Sequence, residues 1–273
     1  MKIDVYVLCK NEIKLAPFMV DYWKVLAEHV EVYVYDAFST DGTREFLSNF
    51  DFIHIIDNPE PDGLNDFNHI SIKQNAWKKS TGKADFVMVC DFDETIFSYD
   101  VNTLHGELEK MKYEGYTIIR PLSFNVVSDE YPIYTKGKFL HEVAEYGYNE
   151  YKWYTKPILF DPNKISNINY VLGAHAATAS GDVKWYTSDN MFLIHCKLLG
   201  KVNFISNIRS RKMSNWNLSN RLFGQTENTD SQLSDYFNEG YSKRFKFVDI
   251  KENLDKYYAV KSDWSAWSLG VVK

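Results

Sequence analysis

The chain has 273 residues, 45% of them hydrophobic and 25% charged, with a formal net charge of -6. That length carries one sizeable domain with a buried core, and an acidic balance without a long Lys/Arg run argues against a nucleic-acid partner. Aromatic content is high at 16%, which supplies core volume and, in a cleft, faces on which sugars stack.

Cys9, Cys90 and Cys196 fall inside apolar stretches without metal-site spacing, the pattern of buried free thiols in a reducing compartment. The opening MKIDVYVLCKNE has an acidic residue inside a strand pattern and lacks the form of a signal peptide. No apolar run approaches the roughly 20 residues needed to span a bilayer. The expectation is a cytoplasmic protein without a transmembrane segment, associating peripherally with the inner face of a membrane through a partner.

In chain order, Ile3–Leu8 reads as a strand and Ile13–Glu28 as a helix, followed by a strand at Val30–Tyr35 and a short helix at Thr43–Asn49. A third strand at Ile53–Ile56, a helix at Asn68–Ser80 and a fourth strand at Asp85–Cys90 complete the first hundred residues. Strands separated by helices of this length imply parallel pairing through right-handed crossovers in an open α/β sheet. The polar clusters Cys9–Glu12, Asp36–Thr43 and Asp91–Glu94 follow three of these strands, and ligands of open α/β sheets bind at such strand ends. Beyond residue 100 a helix is expected at Asn102–Glu114 and strands at Thr117–Pro121, Pro157–Phe160 and Met191–His195. Helices are expected at Phe204–Leu222 and Asp230–Phe247, and residues 128–154 read as an irregular or hairpin segment.

Two stretches carry chemistry. Val87–Phe97, VMVCDFDETIF, runs an apolar strand into two carboxylates one residue apart. Such a pair serves either as aspartyl nucleophile and acid in DxDxT phosphatases, with Asp91 as nucleophile and Thr95 completing the pattern, or as a holder of a divalent metal on a diphosphate. Val32–Thr43, VYVYDAFSTDGT, puts Asp36 at a strand end, where it can accept from a base or ribose, with Thr40 or Asp41 to cap the next helix.

As an ordered set, LCKNE (Leu8–Glu12), YDAFSTDGT (Tyr35–Thr43), KQNAWKKSTGKADFVMVCDFDE (Lys73–Glu94) and, more weakly, KPILFDPNKI with GAH (Lys156–Ile165, Gly173–His175) resemble the inverting nucleotide-sugar glycosyltransferases of family two, in their compact bacterial and viral branch. The resemblance covers about residues 1–200 and implies a GT-A fold: a Rossmann-like open, mostly parallel sheet flanked by helices, with a nucleotide-binding half over 1–100, an acceptor half over 101–200 and a C-terminal helical elaboration over 201–273 packed on it. Many members carry a second acidic residue where this chain has Ala37, so Asp36 would serve the base alone.

The resemblance implies that Cys9, Asn11 and Glu12 line the nucleotide pocket with Asp36, Lys73, Asp91 and Phe92. Asp91 would meet the ribose or the metal, and Asp93 would ligate a Mn²⁺ or Mg²⁺ ion, with His175 or His195 as a further metal ligand. Glu94 would stand behind them as a supporting residue. Lys73, Lys156 and Lys197 are candidates to neutralise phosphates. The base for the acceptor hydroxyl would be Glu142 or Asp189, and Trp153, Trp185 or Trp216 would be a sugar platform. The activity implied is transfer of a sugar, with inversion, from a nucleotide-sugar donor (UDP by default) to a glycan or lipid-linked saccharide. Besides the phosphatase, a non-catalytic saccharide-binding protein on the same fold is the other alternative.

Overall fold

The computed structural model describes residues 1–59, 65–149, 156–171, 174, 176–213 and 229–250. Strand β1 (Lys2–Cys9) is buried from Ile3 onward, and its Val, Tyr and Ile residues suit a covered pleat. After a turn in which Leu15 and Ala16 donate to the Glu12 carbonyl, helix α1 (Ala16–Leu26) starts with proline in its first turn, where a missing N–H costs nothing. It buries Phe18, Met19, Tyr22, Trp23 and Leu26. There follow β2 (His29–Asp36), α2 (Thr43–Leu47), β3 (Ile53–Asp57) and α3 (Asp66–Asn75). The Asn65 side chain caps α3 by accepting from the N–H groups of Phe67 and Asn68. A 3-10 turn, Ala76–Ser80, leads from α3 to β4 (Phe86–Asp91).

These four strands are parallel, in the order β4-β1-β2-β3. Their register puts Cys9 opposite Asp36 and Leu8 opposite Asp91, so the carboxyl ends lie level. β2 and β4 flank β1 on opposite sides, and a crevice opens where the strand order reverses.

The rest of the chain supplies β5 (Glu94–Phe97), α4 (Val101–Tyr113), β6 (Ile118–Ile119), β7 (Leu122–Ser128), α5 (Leu140–Ala144), β8 (Tyr146–Tyr148) and β9 (Leu159–Phe160). After these come β10 (Ile165–Tyr170), β11 (Ala177–Gly181), β12 (Trp185–Tyr186), β13 (Phe192–Leu199), α6 (Lys201–Met213), α7 (Asp230–Ser242) and β14 (Phe245–Lys246). The first sheet grows to seven strands, β12-β6-β9-β4-β1-β2-β3, with β9 antiparallel to its neighbours. A second sheet, β14-β8-β7-β13-β5, has five strands, and β10 pairs with β11. The architecture is therefore mixed α/β with a mostly parallel sheet flanked by helices.

The main core runs continuously from α1, β1 and β4 to β5, β7 and β13, so the two sheets share it. A second cluster, around Tyr6, Trp77, Val89 and Phe160, covers the other face of the first sheet. In a third, Phe204 of α6 and Leu233 and Phe237 of α7 pack on Val127, Tyr148 and Leu198 of the second sheet. No helix among the described residues is long and apolar enough to cross a membrane.

Several expected bounds shift, each for a local reason. The expected strand Thr117–Pro121 is shortened to Ile118–Ile119, because Pro121 has no N–H for a ladder and divides β6 from β7, a strand the sequence did not lead us to expect. The expected helix Asp230–Phe247 ends at Ser242, and Phe245–Lys246 instead extends the second sheet beside β8. Strand β13 runs on to Leu199 through a register irregularity between His195 and Leu198. Past Leu199 comes Gly200 at φ +66, where an added Cβ would lie 2.6 Å from the Tyr131 backbone nitrogen. Only glycine fits this close approach.

Candidate functional site

The two aspartates of CDFDE (Cys90–Glu94) sit in a tight turn that carries the chain from β4 of the first sheet to β5 of the second. Between them Phe92 points inward, buried, its ring edge-on to Trp23 at 5.4 Å, while its N–H donates to the Leu8 carbonyl. Alternation then throws Asp91 and Asp93 away from the core into different surroundings.

Asp91 faces lysines. Lys73 Nζ lies 2.7 Å from Oδ1 and Lys156 Nζ 3.5 Å from Oδ2. His69, one turn before Lys73 on α3, adds to the same field. Burial alone would raise the Asp91 pKa, but Lys73 and Lys156 outweigh it and hold the carboxyl well below the usual carboxylate range. The Asp91 side chain nevertheless keeps 35% of its surface exposed.

Lys156 also forms an ion pair with Glu94, and these side chains are 3% and 0% exposed. Burial would lower the Lys156 pKa; Glu94 and Asp91 more than offset this and raise it. Glu94 in turn accepts from the Asp91 N–H at 3.2 Å. Lys73, Lys156, Asp91 and Glu94 thus form one charge-balanced array spanning both sheets. Glu94, read from the sequence as a supporting residue, is the buried counter-ion of Lys156.

Asp93 faces a histidine. His195 Nε2 is 3.4 Å from Asp93 Oδ2, and His195 Nδ1 is 2.9 Å from Asn125 Oδ1. His195 lies opposite Asn125 on β7 and opposite Glu94 on β5. The irregularity that begins after it is a device that re-aims strand side chains beside functional sites. The Cys196 N–H donates to the Asp93 carbonyl at 2.7 Å and fixes the turn. Were Nδ1–H to donate to Asn125 Oδ1, the Nε2 lone pair would be directed toward the carboxylate. Two electron-pair donors 3.4 Å apart suit a shared cation. Among the described residues no group of three or more His, Cys, Asp and Glu side chains is arranged around a metal. Burial pushes up both the Cys196 thiol and the Tyr131 phenol, and the charges of Asp93 and Glu12 add to this at both groups.

The loops after β1 and β2 are knitted together above the crevice. The Asn11 N–H donates to Ser39 Oγ, the Thr40 N–H to Asn11 Oδ1, and the Glu12 N–H to Thr43 Oγ1. Asp36 is buried and committed: it accepts from the Ser39 N–H and hydroxyl and from Arg44 Nη1 at 2.9 Å, and Arg44 reaches on to Asp57. Its carboxylate organises the loop from beneath. The Cys9 thiol also faces the core, where burial raises its pKa.

The structure thus brings Asn11, Glu12, Asp36, Lys73, Asp91, Asp93 and His195 to the carboxyl ends of β1, β2 and β4 and the amino end of β5, while Cys9 and Phe92 turn their side chains inward. Glu142 lies elsewhere, its carboxylate accepting the Phe139 N–H at 2.6 Å to close the first turn of α5. Asp189 precedes β13, its carbonyl accepting from Tyr99. Lys197 packs over the Tyr236 ring at 4.9 Å, and Trp185 under the Arg120 guanidinium at 4.3 Å. His175, Trp153 and Trp216 lie outside the described residues. The sequence reading passed over Asn125, His69 and Arg44. Period-two apolar spacing at Leu122, Phe124 and Val126 would have revealed the strand that carries Asn125.

Fold and site together define an α/β protein with a lysine–carboxylate–histidine centre at a sheet switch point. No protein-family model matches the sequence, and no curated protein matches it. Among solved structures the chain is similar to S. aureus TarS, with 11% identity and a TM-score of 0.41 over 89% of this chain and 43% of that one. This chain thus spans less than half of TarS. For TarS 1-349 in complex with UDP the values are 12% and 0.39, over 89% and 72% of the two chains. The mannosyltransferase PcManGT from Pyrobaculum calidifontis, in complex with GDP-Man and Mn²⁺, gives 13% and 0.42 over 97% and 75%.

Proposed function

We propose that this chain is a nucleotide-sugar glycosyltransferase, transferring a sugar with inversion from a nucleoside-diphosphate donor, UDP by default, to a hydroxyl of a glycan or lipid-linked saccharide. The observation that carries the reading is the lysine pair at the end of β4. Lys73 and Lys156 are buried, share Asp91, and lie one residue from the Asp93–His195 pair at the switch point. A centre that combines ammonium groups with two converging cation ligands suits a diphosphate better than it suits a neutral sugar alone.

In this reading Asp93 and His195 would hold a Mn²⁺ or Mg²⁺ ion, and Asp91 poises the lysines. The residues fit such an ion, since a His195 donating from Nδ1 to Asn125 Oδ1 would present its Nε2 lone pair beside the Asp93 carboxylate. When bound, the ion offsets charge on the departing diphosphate as a Lewis acid. Lys73 and Lys156 share that task by donating to the diphosphate oxygens, each anchored beside a carboxylate. The buried Glu94 keeps Lys156 in place while its ammonium turns toward the donor.

Thermal unfolding with UDP or GDP, with and without Mn²⁺, tests the proposal. A ligand at 100 times its Kd stabilises the folded state by about 2.7 kcal/mol. The gain should need nucleotide and metal together and should vanish in Asp93→Asn. A gain that survives that substitution, or none with either nucleotide, refutes the assignment.

A further inference from the structure

Phe38 stands in the knitted loop after β2 with φ 55, in the left-handed region. A bulky side chain is rare there, and strain of this kind persists where surrounding contacts impose it. The contacts are on hand. Ala37 on one side donates to the Cys9 carbonyl and accepts from Lys10 Nζ, and Ser39 on the other is tied to Asp36 and Asn11. The loop is thus braced on both sides of a residue whose conformation it strains.

The bracing turns an aromatic ring outward. Phe38 is 49% exposed, and among the described phenylalanines only Phe67, at 44%, shares that exposure. Both stand on the same rim. The Asn58 N–H donates to the Asp36 carbonyl, and the Asn58 side-chain oxygen accepts from Asn68, the neighbour of Phe67 at the start of α3. Arg44, fixed by Asp36 and Asp57, lies 5.7 Å from the Phe38 ring centroid and holds the ring against its guanidinium. Since the Asp36 carboxylate already accepts three hydrogen bonds, a planar base arriving here meets an aromatic face rather than a free carboxylate.

We infer that Phe38 is the platform on which the donor's nucleobase stacks, an inference that rests on the glycosyltransferase reading. Stacking needs a flat, pre-placed ring and little hydrogen-bond readout, and its strength is sequence-tolerant because every base has a π-face. A ring fixed before the ligand arrives loses little freedom on binding, which gives the strained backbone a purpose.

The test is calorimetric titration of the full chain with UDP, GDP and inorganic pyrophosphate in the presence of Mn²⁺, comparing wild type with Phe38→Gly and Phe38→Tyr. Glycine accepts the left-handed backbone, so Phe38→Gly should melt no lower than wild type. Its affinity for the tighter of UDP and GDP should fall about tenfold, the scale of one lost base–aromatic stack, with pyrophosphate binding unchanged and Phe38→Tyr near wild type. Nucleotide affinity of Phe38→Gly within twofold of wild type overturns the inference and leaves the transferase reading standing. Equal losses for nucleotide and pyrophosphate also overturn it, since the loop and not the ring would then be at fault. A wild type that binds neither nucleotide overturns both.

Discussion

Removing the Lys156 ammonium probes the site through its most buried contact. Lys156 and Glu94 are 3% and 0% exposed, so Lys156→Met would strand a carboxylate in the protein interior. Breaking one side of a buried pair costs about 3–5 kcal/mol, mostly because the remaining charge has lost both water and partner. Asp91 would feel less of this loss, since Lys73 stays 2.7 Å from its Oδ1. Lys156→Met combined with Glu94→Gln removes the stranded charge, keeps an oxygen able to accept the Asp91 N–H, and should recover most of the stability. Urea unfolding of the wild type, both single variants and the double variant gives the coupling from a double-mutant cycle, with an expected magnitude of about 2–3 kcal/mol. For a chain of this size the Lys156→Met loss corresponds to a melting point lower by roughly 10 °C. A single variant within about 1 kcal/mol of wild type, or a double variant no better than Lys156→Met, would refute the view that this pair carries the seam between the sheets.

His141 lies among the rings of Phe97, Phe139 and Phe247, and burial lowers its pKa to about 4. Because the folded value lies below the unfolded ~6.5, the unfolded chain takes up the proton first. Stability should therefore fall as pH drops from 6.5 toward 4, by at most about 3 kcal/mol, and His141→Phe should flatten that limb in urea melts at stepped pH. The depressed Asp91 pKa acts in a lower window: its stabilisation is complete above the ordinary carboxylate value of about 3.9 and fades only as pH falls below it. Asn125→Leu should leave the fold intact but release the His195 tautomer, weakening Mn²⁺ binding about 10–100-fold in titrations with nucleotide present. Gly200→Ala should cost about 1–3 kcal/mol in thermal melts, since its Cβ would press on the Tyr131 backbone from a left-handed conformation.

The first hundred residues were legible because each element there obeys one clear period and ends in polar residues; the strand ends that matter were found within one residue. Asp93 and His195 were readable as a chemical pair only through resemblance. Burial was not readable. Nothing in FDETIF says that Glu94 lies at 0% exposure or that its partner waits 62 residues downstream. Nor does LHEVAEY say that the Glu142 carboxylate closes the first turn of its own helix, local geometry that a charge pattern does not encode. The same blindness hid Asn125: a polar residue inside LSFNVVS reads as a loop until a histidine on a neighbouring strand is seen to need it. Long-range polar pairing is what single-sequence periodicity cannot carry.

The inward turn of Phe92 makes the middle letter of the DFD triplet a peg driven into the protein against Trp23. Its neighbours gain separate fates from that one anchorage, since a carboxylate on each side of the peg answers to a different sheet. One sees ammonium groups and the other an imidazole, and Lys156, whose ammonium feels the charge of both aspartates, links the two. The site thereby holds two different electrostatic settings within three consecutive residues, with a ring anchored in the core between them.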